Sequence, residues 1–193
     1  MFKPRPRIET LPLEGGPPCL VVDDALSEPG HWVALAARHA AEFAVDPHAG
    51  HPVRRLALPG PVLTQLDVYF SEFLRDRLGF RRVLDAQGWL SLATAAAPRP
   101  SRASTHLPGQ GTAVVSLCLF ENAALGGTVF PDPRAGALAP PLGRVEARYN
   151  RLVVFDGGRW HAPDIGPAAT LSDDPRRGRL TLDARFTCRR RAQ

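Results

Sequence analysis

The sequence has no apolar run long enough to cross a bilayer. Its longest stretches fall short of ten residues, where a spanning helix needs about 20. The first sixteen residues, MFKPRPRIETLPLEGG, are basic but lack the apolar segment of a secretory signal, so the cytoplasm is the expected location. Cysteine is scarce. Cys19, Cys118 and Cys188 are odd in number and contain no Cys-x-x-Cys pair, which fits buried free thiols in a reducing compartment better than a disulfide framework. Lysine is nearly absent: Lys3 is the only one, and every other base is arginine. Also missing are Gly-x-Ser-x-Gly, the phosphate-binding loop, Gly-x-Gly-x-x-Gly after a strand, and His-Glu-x-x-His. Their absence removes the common hydrolase, nucleotide-binding and zinc-protease readings.

What is present is an ordinary globular composition. The 193 residues are 44% hydrophobic and 22% charged, with a formal net charge of +5. That length suits a single domain over 1–193, able to bury about 70% of its unfolded surface without disulfides or a structural metal. Seventeen glycines and twenty prolines point to many turns and short strands. The positive excess gathers late, at Arg176, Arg177, Arg179, Arg185, Arg189, Arg190 and Arg191. No aromatics interleave with it and no nucleic-acid motif accompanies it, so residues 189–193 read as a solvated basic tail.

Residues 1–17 look like an irregular lead-in, and CLVVDD (19–24) like a short buried strand. Ser27-Glu28-Pro29 resembles a helix start, with Ser27 as the cap of a helix over about 28–44. Residues 45–61 are rich in turn formers. A second helix is expected over about 61–78, with Val62, Leu66, Tyr69, Phe70, Phe73 and Leu74 on one stripe and Gly79 closing it. Residues 18–87 thus form a strand and helical support. From Trp89 the pattern changes to strands between Gly/Pro turns: 89–97, 112–120, 126–130, 144–149, 151–156, 159–162 and 178–188. This predicts a mainly β fold, an antiparallel sandwich or barrel with two helices packed on one outer face. The run 112–120 is apolar on both faces and should be central.

The chemistry rests on histidines and on the last strand. His31 and His39 read as surface residues of the first helix. His48 and His51 form His-x-x-His in a Pro/Gly loop, open to reading as a metal pair or as loop residues. His106 precedes the central strand and His161 follows RLVVFDGGRW. Two histidines at the strand mouths of a jelly roll can converge on one metal ion, and imidazole suits iron, zinc or copper. On the last strand, Leu180, Leu182, Ala184 and Phe186 share one face, while Arg179, Thr181, Asp183 and Arg185 share the other. That polar face either meets water or lines a cavity. In a cavity, Arg179 would grip a carboxylate with its planar fork and Thr181 would add a hydroxyl.

The order THLPG, VVSLCLFENAALGGTVF, YNRLVVFDGGRWHA and GRLTLDARF resembles the double-stranded β-helix of iron(II)/2-oxoglutarate-dependent oxygenases, in particular a bacterial branch related to prolyl hydroxylases. The resemblance covers residues 88–188. It implies His106 and His161 as metal ligands, Gly126-Gly127-Thr128-Val129-Phe130 as the family hairpin, and Arg179 with Thr181 as the 2-oxoglutarate-binding pair. It implies Fe(II) and 2-oxoglutarate as cofactors and a small molecule or peptide as substrate. Substrate would enter near 97–111 and the Pro/Gly-rich segment 131–142.

The chain departs from the family in two respects: the spacing from His161 to Arg179 is long, with a Pro/Asp-rich loop (163–175) between, and the oxygen ligand of the triad is missing. The aspartate of His-x-Asp is Pro108 here, in the run His106-Leu107-Pro108. A facial triad needs that oxygen ligand, and proline supplies none. Three readings stand open. A carboxylate or amide from elsewhere replaces it, with Glu121, Asp132, Asp156 and Gln110 as candidates. A halide or water fills the position, as in the family's halogenases. Or the site has lost catalysis and the domain binds a ligand or partner.

Overall fold

The computed structural model describes residues 1–49, 51–95, 110–132, 134 and 140–191. In chain order the elements are β1 (Ile8–Leu11), β2 (Cys19–Val22), α1 (Pro29–Arg38), β3 (Ala44–Val45), β4 (Val53–Ala57), α2 (Gly60–Tyr69), β5 (Phe80–Ala93), β6 (Gln110–Cys118), β7 (Thr128–Phe130), β8 (Gly143–Val145), β9 (Leu152–Asp156), β10 (Ala162–Pro163) and β11 (Leu180–Arg190). Eight strands form one sheet in the order β1-β2-β9-β6-β11-β5-β4-β3, and three form a second, β10-β7-β8. Every pairing is antiparallel. Strand β6 lies in the middle of the large sheet, as its apolar faces require.

The alternation of β11 sets the architecture. Leu180, Leu182, Ala184 and Phe186 are buried on the face that carries the helices. There they meet Leu90 and Leu92 of β5, Val115 and Leu117 of β6, and Trp32, Leu66 and Phe70 from the helical side. Phe70 and Phe186 stack with ring centroids 4.3 Å apart and planes 4° from parallel. The small sheet packs on the opposite face through a second cluster that includes Cys19, Val21, Phe130, Val145 and Phe155. Phe130 and Phe155 meet edge to face at 5.0 Å. All three cysteines are buried and free, and burial pushes the Cys19 and Cys188 thiols up to about 12.

Several boundaries differ from the sequence expectation. Helix α1 stops at Arg38, and Ala40–Glu42 tighten into a 3-10 turn before β3. Its cap is Glu28, which makes no side-chain capping bond, while the Ser27 amide donates to the Met1 carbonyl. The second helical stretch keeps its expected length but not its uniformity. It widens into a π turn over Phe70–Leu74, tightens over Arg75–Leu78, and ends at Gly79 with φ +75°. That left-handed conformation favours glycine. Strands β1 and β4 arise in stretches whose prolines and glycines hide them. Strand β5 begins at Phe80, because its first half is held by the second half of β11.

Two glycines are fixed by packing. A methyl added at Gly127 would overlap the Val145 carbonyl oxygen of β8, and one at Gly126, whose φ is +83°, would overlap the Asp164 carbonyl. The Gly-Gly pair thus lets β7 approach its neighbours closely.

Candidate active site

Between the two sheets lies a cavity of about 80 Å³. Its floor is the face of the large sheet away from the helices. Register places Asp183 opposite Trp89 on β5 and Ser116 on β6, with Arg185 opposite Val114. The polar face of β11 therefore lines an interior space and is not a solvated surface. Arg179, Thr181, Asp183 and Arg185 all border it, and His161 enters from the opposite wall, one residue before β10.

Arg179 is 6% exposed. Its Nε donates to the Gly126 carbonyl at 3.2 Å and one terminal nitrogen to the Gly127 carbonyl at 3.1 Å. Its guanidinium carbon stands 5.4 Å from the centre of the Phe120 ring. These two bonds use Nε and Nη2, so the edge carrying Nη1 remains for an acid. Burial pulls the Arg179 pKa below the ordinary arginine value, against the pull of Asp183.

Asp183 is the only carboxylate bordering the cavity among the described residues. Ser116 donates its hydroxyl to it at 2.7 Å and Thr181 does so at 2.9 Å. Thr181 is thus engaged within the chain. Ser91, in register with Thr181, points to the same face, because Leu90 and Leu92 point to the core. The Ser91 hydroxyl is buried and has no hydrogen-bond partner among the described residues.

His161 is half-buried, its ring 4.7 Å from that of Phe155 in an edge contact. Nδ1 lies 2.8 Å from the Arg159 carbonyl. A carbonyl only accepts, so Nδ1 carries the proton and Nε2 presents its lone pair. Burial lowers the His161 pKa, and Arg185 lowers it further, against the Arg159 carbonyl bond. The shift favours the neutral imidazole, the form that ligates a metal.

The other predicted site residues divide. His106 and Pro108 lie outside the described residues, as does most of 97–111. His48 is exposed, whereas His51 borders the cavity, so the His-x-x-His spacing does not bring the two together. Burial, with the Arg179, Arg55 and His161 charges, drives the His51 pKa down to about 4, against the pull of Asp183. None of Glu121, Asp132, Asp156 and Gln110 borders the cavity. Asp156 is committed to Arg190 at 2.7 Å and to the Gly158 amide at 2.8 Å. No three histidine, cysteine or carboxylate groups among the described residues are grouped to hold a metal ion. No described helix is long and apolar enough to cross a membrane.

Two facing sheets with this cavity define a double-stranded β-helix, and solved structures agree. A Pseudomonas putida prolyl-4-hydroxylase superposes with a TM-score of 0.59 at 19% identity, covering 90% of this chain and 93% of its own. SnoN, a non-heme alpha-ketoglutarate-dependent epimerase from nogalamycin biosynthesis, gives 0.55 at 16% identity, covering 87% and 76%. HygX from Streptomyces hygroscopicus, solved with nickel and 2-oxoglutarate bound, gives 0.52 at 12% identity, covering 89% and 82%. At these identities the likeness establishes the fold. No curated protein matches the chain in sequence. The model of a "Family of unknown function (DUF6445)" matches residues 4–139 and 141–186, and the chain belongs to that family.

Proposed function

We propose that the protein is an Fe(II)/2-oxoglutarate-dependent oxygenase acting on a small molecule or a peptide. The observation that carries this reading is the buried Arg179 guanidinium, which borders the same cavity as the His161 imidazole on a fold shared with 2-oxoglutarate-dependent enzymes.

Among the described residues one imidazole and one guanidinium fit the cofactors, and an oxygen ligand for the metal is not among them. The Nε2 of His161 is free for a metal, and His106 is its proposed companion. Asp183 fits the role of second-row carboxylate, held by two hydroxyls. Arg179 binds the distal carboxylate of 2-oxoglutarate through its remaining edge, and Thr181 turns its hydroxyl from Asp183 to the same acid. Enclosure strengthens that charge-assisted pair. Ferrous iron, when bound, supplies the dioxygen chemistry that no side chain here can perform. Phe155 and Val114 make part of the wall apolar.

Calorimetry with Mn(II) or Fe(II) and 2-oxoglutarate tests this. Joint uptake of metal and co-substrate, followed by succinate release with substrate, is the expected result. No metal uptake at high micromolar concentration would overturn it.

A further inference from the structure

We infer that Arg185 receives a carboxylate of the substrate, fixing an acidic molecule beside His161. The word substrate here rests on the oxygenase reading, whereas the anion site rests on geometry alone.

The cavity holds three guanidinium groups, and two are spoken for. Arg55 pairs with Asp46 and lies 4.5 Å over the Trp89 ring. Arg179 is tied to the Gly126 and Gly127 carbonyls. Arg185 is half-buried and has neither an ion pair nor a hydrogen bond among the described residues. Asp183, the only carboxylate of the lining among those residues, already accepts from Ser116 and Thr181. The cavity thus has an excess of positive charge.

A half-buried cation without an ion pair among the described residues is partly desolvated, and an anionic ligand would supply its counter-charge. Residue 185 lies between Val114 on β6 and the exposed Gln87 on β5, at the rim of the cavity floor. Burial first, and then the Arg55 charge, hold the Arg185 pKa below its ordinary value, against the pull of Asp183 and Asp46.

The anion it takes is not the one Arg179 would hold. Six residues separate the two along the chain, about 20 Å between Cα atoms, and the Arg179 guanidinium is turned to the Gly126 and Gly127 carbonyls. Arg185 borders the same cavity as His161. An acid seated on its fork would hold a neighbouring carbon near the metal position.

The probe is acetate, with acetamide as its neutral twin, and the reading is the Arg185 Nε–H resonance, assigned by its loss in Arg185→Gln. Acetate should shift that resonance saturably and bind at least about tenfold tighter than acetamide, the contribution of one charge-assisted pair. Arg185→Gln should unfold at a temperature no lower than the parent, since it removes an unpaired charge. An unmoved resonance, an equal response to acetamide, or a variant destabilised by several degrees would each overturn the assignment. Metal and 2-oxoglutarate uptake are titrated in the same samples. If that uptake fails while acetate still moves Arg185, the anion site stands and the oxygenase reading falls.

Discussion

The Thr181 hydroxyl donates to the Asp183 carboxylate at 2.9 Å, across one intervening residue of β11. The hydroxyl assigned to an incoming acid is therefore held by an acid of the chain itself. Asp183→Asn removes that negative charge with almost no change of shape. It should tighten 2-oxoglutarate binding roughly three- to tenfold, the effect of removing a like charge in a partly wet site. Calorimetry on the metal-loaded protein measures this. A weaker affinity would mean that Asp183 positions the acid and does not compete with it.

Arg179→Gln should lose about 10- to 100-fold in 2-oxoglutarate affinity, the range of a hydrogen-bonded charge pair. Metal affinity should hold, because His161 is oriented by the Arg159 carbonyl and not by Arg179. The variant should also lose about 1–3 kcal/mol of stability, since two backbone carbonyls lose their donor. Denaturant unfolding separates that cost from the binding loss. Unchanged co-substrate affinity would remove Arg179 from the acid site.

The depressed His51 pKa has a definite sign. Its folded value, about 4, lies below the unfolded value of 6.5. Between those values the unfolded chain binds more protons, so this residue subtracts stability as pH falls from about 6.5 towards 4. His51→Gln should therefore flatten the stability profile in that window and leave it unchanged above neutrality. Urea unfolding across the range is the measurement, and identical profiles would show that His51 is solvated.

Two packing variants should be costly for different reasons. Phe186→Ala removes the ring stacked on Phe70 in the main core and should cost about 3–5 kcal/mol. Gly127→Ala forces β7 and β8 apart and should disturb the cavity as well as the fold. Unfolding combined with 2-oxoglutarate titration distinguishes them. The first should spare binding per folded molecule, and the second should not.

Much of the large sheet was legible because its strands carry plain signals. β6 and β9 are buried runs bounded by turns, and β11 alternates apolar and polar residues. The same alternation brought Arg179 and Thr181 forward as a pair, though not which way their face looks, since that depends on the small sheet opposite. β4 was missed because a proline- and glycine-rich stretch surrounds it. The first half of β5, charged and largely exposed, is a strand only because β11 pairs with it. His51 carried a misleading signal: its spacing to His48 suggested a partner, while its place in the cavity depends on strands far away in sequence. Arg185 was visible as one of four polar residues on a face, but its want of a counter-ion is a property of three-dimensional neighbours.

The bonds from Arg179 to Gly126 and Gly127 fasten the hairpin side of the small sheet to the last strand of the large one. One side chain is therefore both the rivet between the layers and the seat offered to an acid. Filling that seat would stiffen the joint, damping the breathing of the two layers and slowing amide exchange around residues 126–130 at a distance from the ligand itself.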